Sequence, residues 1–437
     1  MPNFVALVKH AAMKLSAVWS VLFLAIILCI FSCSKPLADT PANNTTNTNT
    51  DTTGNNNHDS TTNNNNNNTV EDTSTVHCII VQTYNGSSWD LNVYNPDLSV
   101  KWHHVLTGMT AATNIYRGNI YYCLQNAGTD SLVSASAETG LINWKKSITG
   151  IGDAGAINFY NDSVYVNTLT STSNWLYVFS VASGNLYWQQ QLNDYHYQTF
   201  FSDIKNGFAT GVTVDNGTHY YAIGYDLSAR NLLWSIPASN GGGVPKPLIA
   251  GNNVYVRSGE GLRCLDKISG AVLWSKGNYQ FGNPVVDGNN VFAINNGDAK
   301  LYAMNAGDGT LLWPAVTHYL SANLFGNVYI NNGKCFVFGE PLVNTSALNK
   351  IDIATGDTSY QKIYNEFYQY PIACGNKIFG KTLGSQNADP TEKIMVFNRN
   401  NGVKLDSIIT TANPLYNNNF FGPWIITGSG EVRKRNL

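Results

Sequence analysis

The 437-residue sequence predicts an all-β protein, an eight-bladed β-propeller of four-stranded antiparallel blades, with seven blades as the alternative. The first observation is a short motif that recurs along the chain and ends on an aromatic residue. The second is its period, because strand-type repeats of about 40–45 residues are typical of propellers. The third is that the repeat region has no sustained apolar residues at helical spacing, which argues against extensive helix.

The repeat is clearest at Cys264–Trp274, where a strand, a tight turn ending in glycine and a second strand close on tryptophan. Aligning the chain on that closing position gives intervals of 39–47 residues, with Tyr360 and Asp406 in the last two units. Buried indoles contribute strongly to packing, so we expect these tryptophans to lie between adjacent blades. The predicted blade tryptophans are Trp102, Trp144, Trp188, Trp234, Trp274 and Trp313.

Glycine stands four residues before the closing position in six units, because a tight connection between two strands often needs a positive φ. Unit one has Leu98 in a shorter turn, and unit four has Arg230. The fifth unit shows four short extended runs between residues 247 and 275, separated by Asn, Asp and Gly. Because one blade cannot cover its own faces, the blades must pack against their neighbours in a ring.

The propeller region, residues 76–437, is long enough for eight units at this period. Its first unit begins without an innermost strand. The C-terminal stretch, residues 420–436, contains strand-like runs but no closing tryptophan. We therefore expect this stretch to supply strands to the first blade and to close the ring.

Residues 1–32 have the features of a lipoprotein signal peptide. Met13-Lys14 precedes the apolar run Ala17–Phe31, and such a run of about 15 residues is short for a membrane-spanning helix. Ile30-Phe31-Ser32-Cys33 is similar to a lipobox, which predicts Cys33 as the lipid-attachment site and mature N-terminus. Ordinary secretory cleavage beside an incidental cysteine is the alternative.

Residues 33–75 form a predicted disordered tether between this anchor and the propeller. Between Pro41 and Val70, 22 of 30 residues are Asn or Thr, so the segment cannot bury a core. By similarity to bacterial lipoproteins, Ser34 favours the outer membrane. Lys35-Pro36 lacks the acidic run that often marks surface export, which favours the periplasmic side over the cell surface.

The charge pattern argues against nucleic acid as a partner. Formal net charge is −2, and only 12% of residues are charged. Arg433-Lys434-Arg435 is the one basic cluster in the sequence. Nucleic-acid-binding domains instead carry an extended basic face.

The sequence carries no recognisable catalytic or metal-binding motif, so we predict no catalytic residue, no metal and no cofactor. Its histidines show no paired metal-ligand spacing, and its Asn/Asp/Gly clusters are interpreted as turns. The cysteines of the propeller region each stand alone in an apolar run and are interpreted as buried scaffold thiols, with a structural disulfide as the alternative. They are Cys78, Cys123, Cys264, Cys335 and Cys374.

Aromatic residues are frequent in the segments that lead from one blade to the next. In a propeller these segments share one face, near the mouth of the central channel. Their side chains either wedge between inner strands or form a recognition face for a sugar, a peptide or another flat ligand. The candidate recognition residues are Tyr195, Tyr197, Tyr279, Tyr319, Tyr368 and Tyr370.

The pattern Ala-x-Asp/Asn-x-x-Thr/Ser-Gly-x-x-x-Trp resembles the quinoprotein-type (PQQ-like) propeller repeat. Ala303–Trp313 is a near match, and Ile351–Gly356 matches the first half. The resemblance extends over residues 76–437 and implies the propeller fold. It also implies a non-enzymatic lipoprotein branch, similar to the propeller lipoprotein of the outer-membrane barrel-assembly machinery, because the adjacent Cys-Cys pair of quinoprotein alcohol dehydrogenases is absent here.

The resulting hypothesis is a lipid-anchored envelope propeller that acts as a scaffold without catalysis. Its expected partner is an envelope protein or glycan, and the propeller itself is expected to be monomeric. One alternative is a quinone- and calcium-dependent dehydrogenase, whose carboxylate base and Ca²⁺ ligands would gather over the central channel. The other is a carbohydrate-binding propeller that uses the tyrosine-rich face.

Overall fold

The computed structural model describes most of the repeat region. The described residues are 78–84, 89–95, 97–106, 109–125, 130–148, 153–169, 174–192, 198–215, 219–238, 245–277, 281–317, 328–339, 345–366, 368–374, 376–382, 393–409, 424–426 and 432–433. The predicted signal peptide, Cys33 and the tether lie outside them.

All regular secondary structure in the described part of the chain is β-strand, as the sequence predicts. The strands form eight sheets. Sheet 1 begins with β1 (Cys78–Tyr84), β2 (Trp89–Tyr94) and β3 (Val100–Leu106). Sheet 2 contains β4 (Met109–Tyr116), β5 (Asn119–Gln125), β6 (Asp130–Ser136) and β7 (Ile142–Ile148). Sheet 3 contains β8 (Asp153–Tyr160), β9 (Ser163–Leu169), β10 (Asn174–Ser180) and β11 (Leu186–Gln191).

The central part of the chain forms the next three sheets. Sheet 4 contains β12 (Gln198–Lys205), β13 (Phe208–Asp215), β14 (His219–Asp226) and β15 (Asn231–Ala238). Sheet 5 contains β16 (Leu248–Ala250), β17 (Asn253–Ser258), β18 (Gly261–Asp266) and β19 (Val272–Gly277). Sheet 6 contains β20 (Val285–Asp287), β21 (Asn290–Asn295), β22 (Lys300–Asn305) and β23 (Val316–Thr317).

The C-terminal part completes the set. Sheet 7 contains β24 (Tyr329–Asn331), β25 (Lys334–Gly339), β26 (Ser346–Asp352) and β27 (Thr358–Tyr364). Sheet 8 contains β28 (Tyr368–Cys374), β29 (Lys377–Thr382), β30 (Lys393–Asn398) and β31 (Lys404–Ile409). The last two strands, β32 (Trp424–Ile426) and β33 (Val432–Arg433), belong to sheet 1.

Within sheets 2 to 8 the strands are antiparallel and follow each other in chain order. The first strands of neighbouring sheets lie side by side, as with β4 and β8, β8 and β12, and β24 and β28. First strands are therefore innermost, and fourth strands form the outer edge. This is the architecture of a β-propeller.

Each antiparallel sheet has two ends, which we name by the loops found there. The turn face holds the turns between first and second strands and between third and fourth strands. The connection face holds the loops between second and third strands and the segments that lead to the next sheet. Several first turns are two-residue hairpins with positive φ at both positions, such as Asn161-Asp162 and Asn206-Gly207, which is the type I′ geometry favoured by strand twist.

The turn between third and fourth strands is closed by a side chain at its first residue. In sheet 5 the Asp266 carboxylate accepts hydrogen bonds from the backbone N–H of Ile268 and Ser269, at 3.1 and 2.7 Å, and from the Ser269 hydroxyl at 2.7 Å. The Gly270 N–H then donates to the Asp266 carbonyl at 2.9 Å. Gly270 has φ of +70°, a conformation that glycine adopts without a Cβ penalty.

This glycine lies under the tryptophan of the preceding sheet. A Cβ on Gly270 would approach Cγ of Trp234 to 2.6 Å. The Trp234 indole N–H donates to the Lys267 carbonyl of the same turn at 2.8 Å. The same arrangement joins Trp102 to Gly140, Trp144 to Gly184, Trp274 to Gly309 and Trp313 to Gly356.

The two units that lack the glycine or the tryptophan keep a similar contact between neighbouring sheets. Arg230 replaces glycine in sheet 4, with φ of +56°, and its guanidinium carbon lies 4.5 Å from the ring centre of Trp188 in sheet 3. A cation over an indole face is attractive, so the arginine keeps a contact at this junction. Tyr360 replaces tryptophan in sheet 7, and its ring lies 2.8 Å from the Cβ position of Gly402, with its hydroxyl donating to the Arg399 carbonyl at 3.2 Å.

The hydrophobic core is divided among the spaces between sheets. Seven clusters of buried side chains each join two consecutive sheets, from sheets 1 and 2 through to sheets 7 and 8, within the described residues. Tyr94 and Leu98 of sheet 1 pack against the cluster shared by sheets 7 and 8. The last sheet is thereby brought back to the first.

The C-terminal stretch pairs with the first unit. β32 pairs with β1 through Cys78–Ile426, Ile79–Ile425 and Ile80–Trp424. Sheet 1 consequently has the order β3-β2-β1-β32-β33. This pairing confirms the expectation that the C-terminal stretch completes the first unit. No helix within the described part of the chain is long and apolar enough to cross a membrane.

The glycine contact can be tested with a matched pair of substitutions. Gly270→Ala places a methyl group against the Trp234 ring, whereas Gly251→Ala, also at positive φ (+58°), meets nothing within 4 Å. We expect Gly251→Ala to lower the free energy of unfolding by about 1–2 kcal/mol through backbone strain alone. Gly270→Ala is expected to cost about 1–3 kcal/mol more because of overpacking. Urea unfolding measures both, and equal losses would contradict the docking contact.

Candidate functional site

Most of the predicted recognition tyrosines lie outside the part of the chain that the structure describes, so their recognition role stays a prediction. Tyr195, Tyr197, Tyr279 and Tyr319 lie outside the described residues. Tyr368 and Tyr370 lie on β28, the innermost strand of sheet 8, but their side chains are not among those described. The described groups at the inner strands and on the connection face therefore define the candidate site.

Buried amide side chains link neighbouring inner strands. Asn114 on β4 donates from Nδ2 to the Ile157 carbonyl on β8 at 2.7 Å. Asn158 on β8 donates to the Phe201 carbonyl on β12 at 3.0 Å, and the Phe201 N–H donates back to Oδ1 of Asn167 at 3.4 Å. These bonds satisfy backbone groups on the neighbouring sheet. They therefore fix the position of adjacent inner strands relative to each other along the strand direction.

A charged pair makes the equivalent link between sheets 4 and 5. The buried Asp203 carboxylate accepts a hydrogen bond from the Ile249 N–H at 2.8 Å. Lys205 donates from Nζ to the Ile249 carbonyl at 2.6 Å and lies 3.7 Å from the Asp203 carboxylate. Both backbone polar groups of Ile249 are held, so these charges serve sheet-to-sheet attachment.

On the connection face, a carboxylate meets a tyrosine hydroxyl in two sheets. In sheet 4 the Asp215 carboxylate accepts from the His219 N–H at 2.8 Å and lies 3.0 Å from its Nδ1, with the Tyr221 hydroxyl at 3.3 Å. Partial desolvation opposes the shift, but the hydrogen bonds from His219 lower the pKa of Asp215. In sheet 6 the Tyr302 hydroxyl donates to Asp298 at 2.7 Å.

Two buried asparagines lie beside Asp298: Asn295 at the end of β21 and Asn296 in the loop, which are 0% and 6% exposed. Asn295 Oδ1 accepts the Gly297 N–H at 2.9 Å. Its Nδ2, both amide atoms of Asn296 and Oδ1 of Asp298 are buried without a hydrogen-bond partner among the described residues. Such atoms are costly, so this loop is a poorly satisfied polar segment within the described part of the connection face.

A buried arginine, Arg257, adds positive charge to the connection-face end of sheet 5. Arg257 is 3% exposed at the end of β17, where the loop to β18 begins. Burial lowers the pKa of Arg257 to about 10, and Tyr220 acts in the opposite direction. The guanidinium therefore keeps its charge at neutral pH.

Three thiols in the described strands are buried and free. Cys123, Cys264 and Cys335 are free and buried, in agreement with their interpretation as scaffold thiols. Burial raises the pKa of Cys264 to about 11, with a hydrogen bond from Tyr255 opposing it, and raises the pKa of the other two thiols as well. Within the described ranges, no three His, Cys, Asp or Glu side chains are grouped so that they could hold a metal.

Sequence reasoning missed the polar links between inner strands. Asn114, Asn158 and Asp203 recur at intervals of 44 and 45 residues, close to the period of the repeat. That spacing was the available signal. Asn and Asp are turn residues in most contexts, so composition alone favours turns at these positions.

Comparison with known families gives a match over much of the chain. A family model, PQQ_2, described as outer membrane protein assembly factor BamB, matches residues 172–404. Tetrathionate hydrolase from Acidithiobacillus ferrooxidans is 22% identical over 192 residues, which are 40% of this chain and 38% of that protein. The chain thus spans well under half the length of the curated relative it matches.

Solved structures share the fold at low identity. AztD from Citrobacter koseri gives a TM-score of 0.55 at 12% identity, covering 82% of this chain and 100% of that chain. Dihydro-heme d1 dehydrogenase NirN, in complex with DHE, gives a TM-score of 0.56 at 8% identity, covering 81% and 75%. These two similarities show the β-propeller fold alone.

An asparagine whose amide donates to a neighbouring sheet and one whose amide atoms have no partner among the described residues can each be replaced by leucine. Asn158→Leu leaves the Phe201 carbonyl without its partner, so we expect the free energy of unfolding to fall by about 1–3 kcal/mol. Asn296→Leu removes two unpartnered polar atoms and is expected to leave that free energy unchanged or higher. Chemical denaturation distinguishes them. A clear loss for Asn296→Leu would show that its amide has a partner.

Proposed function

We propose that this chain, which belongs to the PQQ-like β-propeller family described as outer membrane protein assembly factor BamB, is an exported scaffold of the cell envelope that binds a protein partner without catalysis of its own. The observation that carries the proposal is the family match over residues 172–404, which reaches from sheet 3 to sheet 8. Inner-strand charges such as Asp203 and Lys205 attach one sheet to the next. The connection face is then the surface for recognition.

Each described sheet is one blade in this proposal, and residues 76–437 form a closed ring of eight blades. Two contacts support closure: β32 pairs with β1, and Leu98 packs against the core shared by sheets 7 and 8. The apolar clusters are covered within the chain, which supports a monomeric propeller. Seven blades would leave one of the eight sheets outside the ring.

The proposed anchor is Cys33, released from the signal peptide of residues 1–32 and followed by the tether of residues 33–75. β1 starts beside the turn that leads from β2 to β3, because Ile79 pairs with Tyr94. The tether therefore enters at the turn face. The connection face, with the candidate tyrosines, is left clear for an envelope partner on the periplasmic side of the outer membrane.

An enzyme is the second candidate function. The match to tetrathionate hydrolase favours it, and a dehydrogenase, NirN, shares the fold. A quinone-dependent dehydrogenase would need its cofactor at the central channel. A thermal shift on addition of the quinone with Ca²⁺, or turnover of tetrathionate by the purified protein, would support an enzyme in place of a scaffold.

The anchor is tested by fractionation of the native host. With intact Cys33 we expect the protein in the outer-membrane fraction, released by detergent. Cys33→Ser removes the acylated thiol and is expected to move the protein to the soluble periplasmic fraction. Ser32→Ala serves as the control, since it keeps the thiol. Membrane retention of Cys33→Ser would contradict a lipid anchor at this residue.

The scaffold role is tested by deleting the gene and measuring folded outer-membrane barrels by their heat-modifiable migration on gels. We expect the folded fraction to fall and to be restored by the wild-type chain. Tyr195→Ala with Tyr368→Ala should restore it less well than Tyr187→Ala, which changes an exposed tyrosine on an outer strand. Unchanged barrel levels in the deletion strain, together with enzymatic turnover in vitro, would contradict the proposal.

A further inference from the structure

β32 occupies the innermost position of sheet 1. It pairs with β1 on one edge and lies beside β28 and β4, the first strands of sheets 8 and 2. First strands are the strands that neighbour one another around the axis. β32 therefore takes the place that β4 takes in sheet 2, although it comes from the opposite end of the chain.

A further strand lies on the other edge of β32. β33 pairs with it through Ile425–Arg433 and Ile426–Val432. A strand has two hydrogen-bonding edges, and β1 already holds the outward one. β33 must then lie on the axis side, about 4.8 Å nearer the axis than the ring of first strands. Sheet 1 is the one five-stranded sheet among the described residues.

We infer that β33 is a plug strand in the central channel, which narrows the channel from within. This inference rests on the closed ring proposed above, since only a ring gives the inner edge of β32 a channel to face. The space inside the first strands must accommodate the backbone of β33. A ligand that enters along the axis from the turn face would meet this strand.

The attachment of the plug is small. Only two residue pairs join β33 to β32. β33 is consequently a displaceable strand, whereas β32, which completes the first sheet, is not.

The plug also bears on the two candidate functions, a scaffold and a quinone-dependent enzyme. A quinone held in the channel at the level of β33 would compete with this strand for space. Recognition on the connection face does not require the channel. With β33 in place the chain is suited to surface binding, and displacement of β33 exposes an inner strand edge to the channel.

Hydrogen–deuterium exchange on two truncated proteins tests the pairing. Removal of residues 431–437 deletes β33 and keeps β32, and removal of residues 434–437 is the control that keeps both. We expect faster exchange in peptides covering residues 424–426 after the longer truncation, and no change in the control. The melting temperature should stay close to that of the full chain in both. Equal protection in all three proteins would overturn the plug.

Spin-label distances locate the strand and test the ring separately. One label is placed at Arg433, and the second at an exposed residue of the turn face in sheet 3, 5 or 7, using Ser183, Ser269 or Thr355. We expect narrow distributions and similar distances from residue 433 to all three. Broad distributions, or a much longer distance to Ser269 than to the other two, would overturn the plug.

Distances among Ser183, Ser269 and Thr355 are the control for the proposed ring. If these match a closed ring while those from residue 433 do not, the plug fails and the ring stands. Cys78 and Cys374 are replaced by serine to remove background labelling. The remaining described thiols are buried and stay protonated near neutral pH.

Discussion

The fold depends on an indole that lies on a glycine of the next sheet. Each sheet is too thin to bury its own side chains, so stability requires that its faces be covered by neighbours. Trp234 covers its neighbour in two ways. The face of its indole ring packs on Gly270, and its indole N–H donates a hydrogen bond to the Lys267 carbonyl. The contact is directional, and therefore it fixes both the distance and the height of adjacent sheets.

A second set of bonds near the axis complements this outer contact. Asn158 reaches the backbone of β12, and Asp203 with Lys205 reaches the backbone of β16. Sheets held at the outer edge and at the inner strand resist both tilting and sliding. Such a body presents the loops of its connection face on a rigid frame, a property suited to recognition of a partner.

The sequence predicted the repeated parts of this fold well. In sheet 5 the expected extended runs coincide with β16 to β19 to within a few residues, because turn residues and glycine mark their ends. The link from Asp203 to Ile249 was not predictable. It joins residues from two units, and the position of one unit relative to the other along the strand direction is defined only when the sheets pack. The sequence predicted that residues 420–436 supply strands to the first sheet, but not that β33 adds a fifth strand there, because two residues carry too little pattern to define a position. The assignment of the candidate tyrosines to one recognition face stays a prediction.

The central claim is that the indole and the glycine touch directly, and a double-mutant cycle on Trp274 and Gly309 measures this. A Cβ on Gly309 would lie 2.8 Å from the Trp274 ring. The account predicts that Gly309→Ala costs clearly less free energy of unfolding in a Trp274→Ala background than in the wild type, because the methyl group then occupies vacated space. Equal costs in both backgrounds would contradict it.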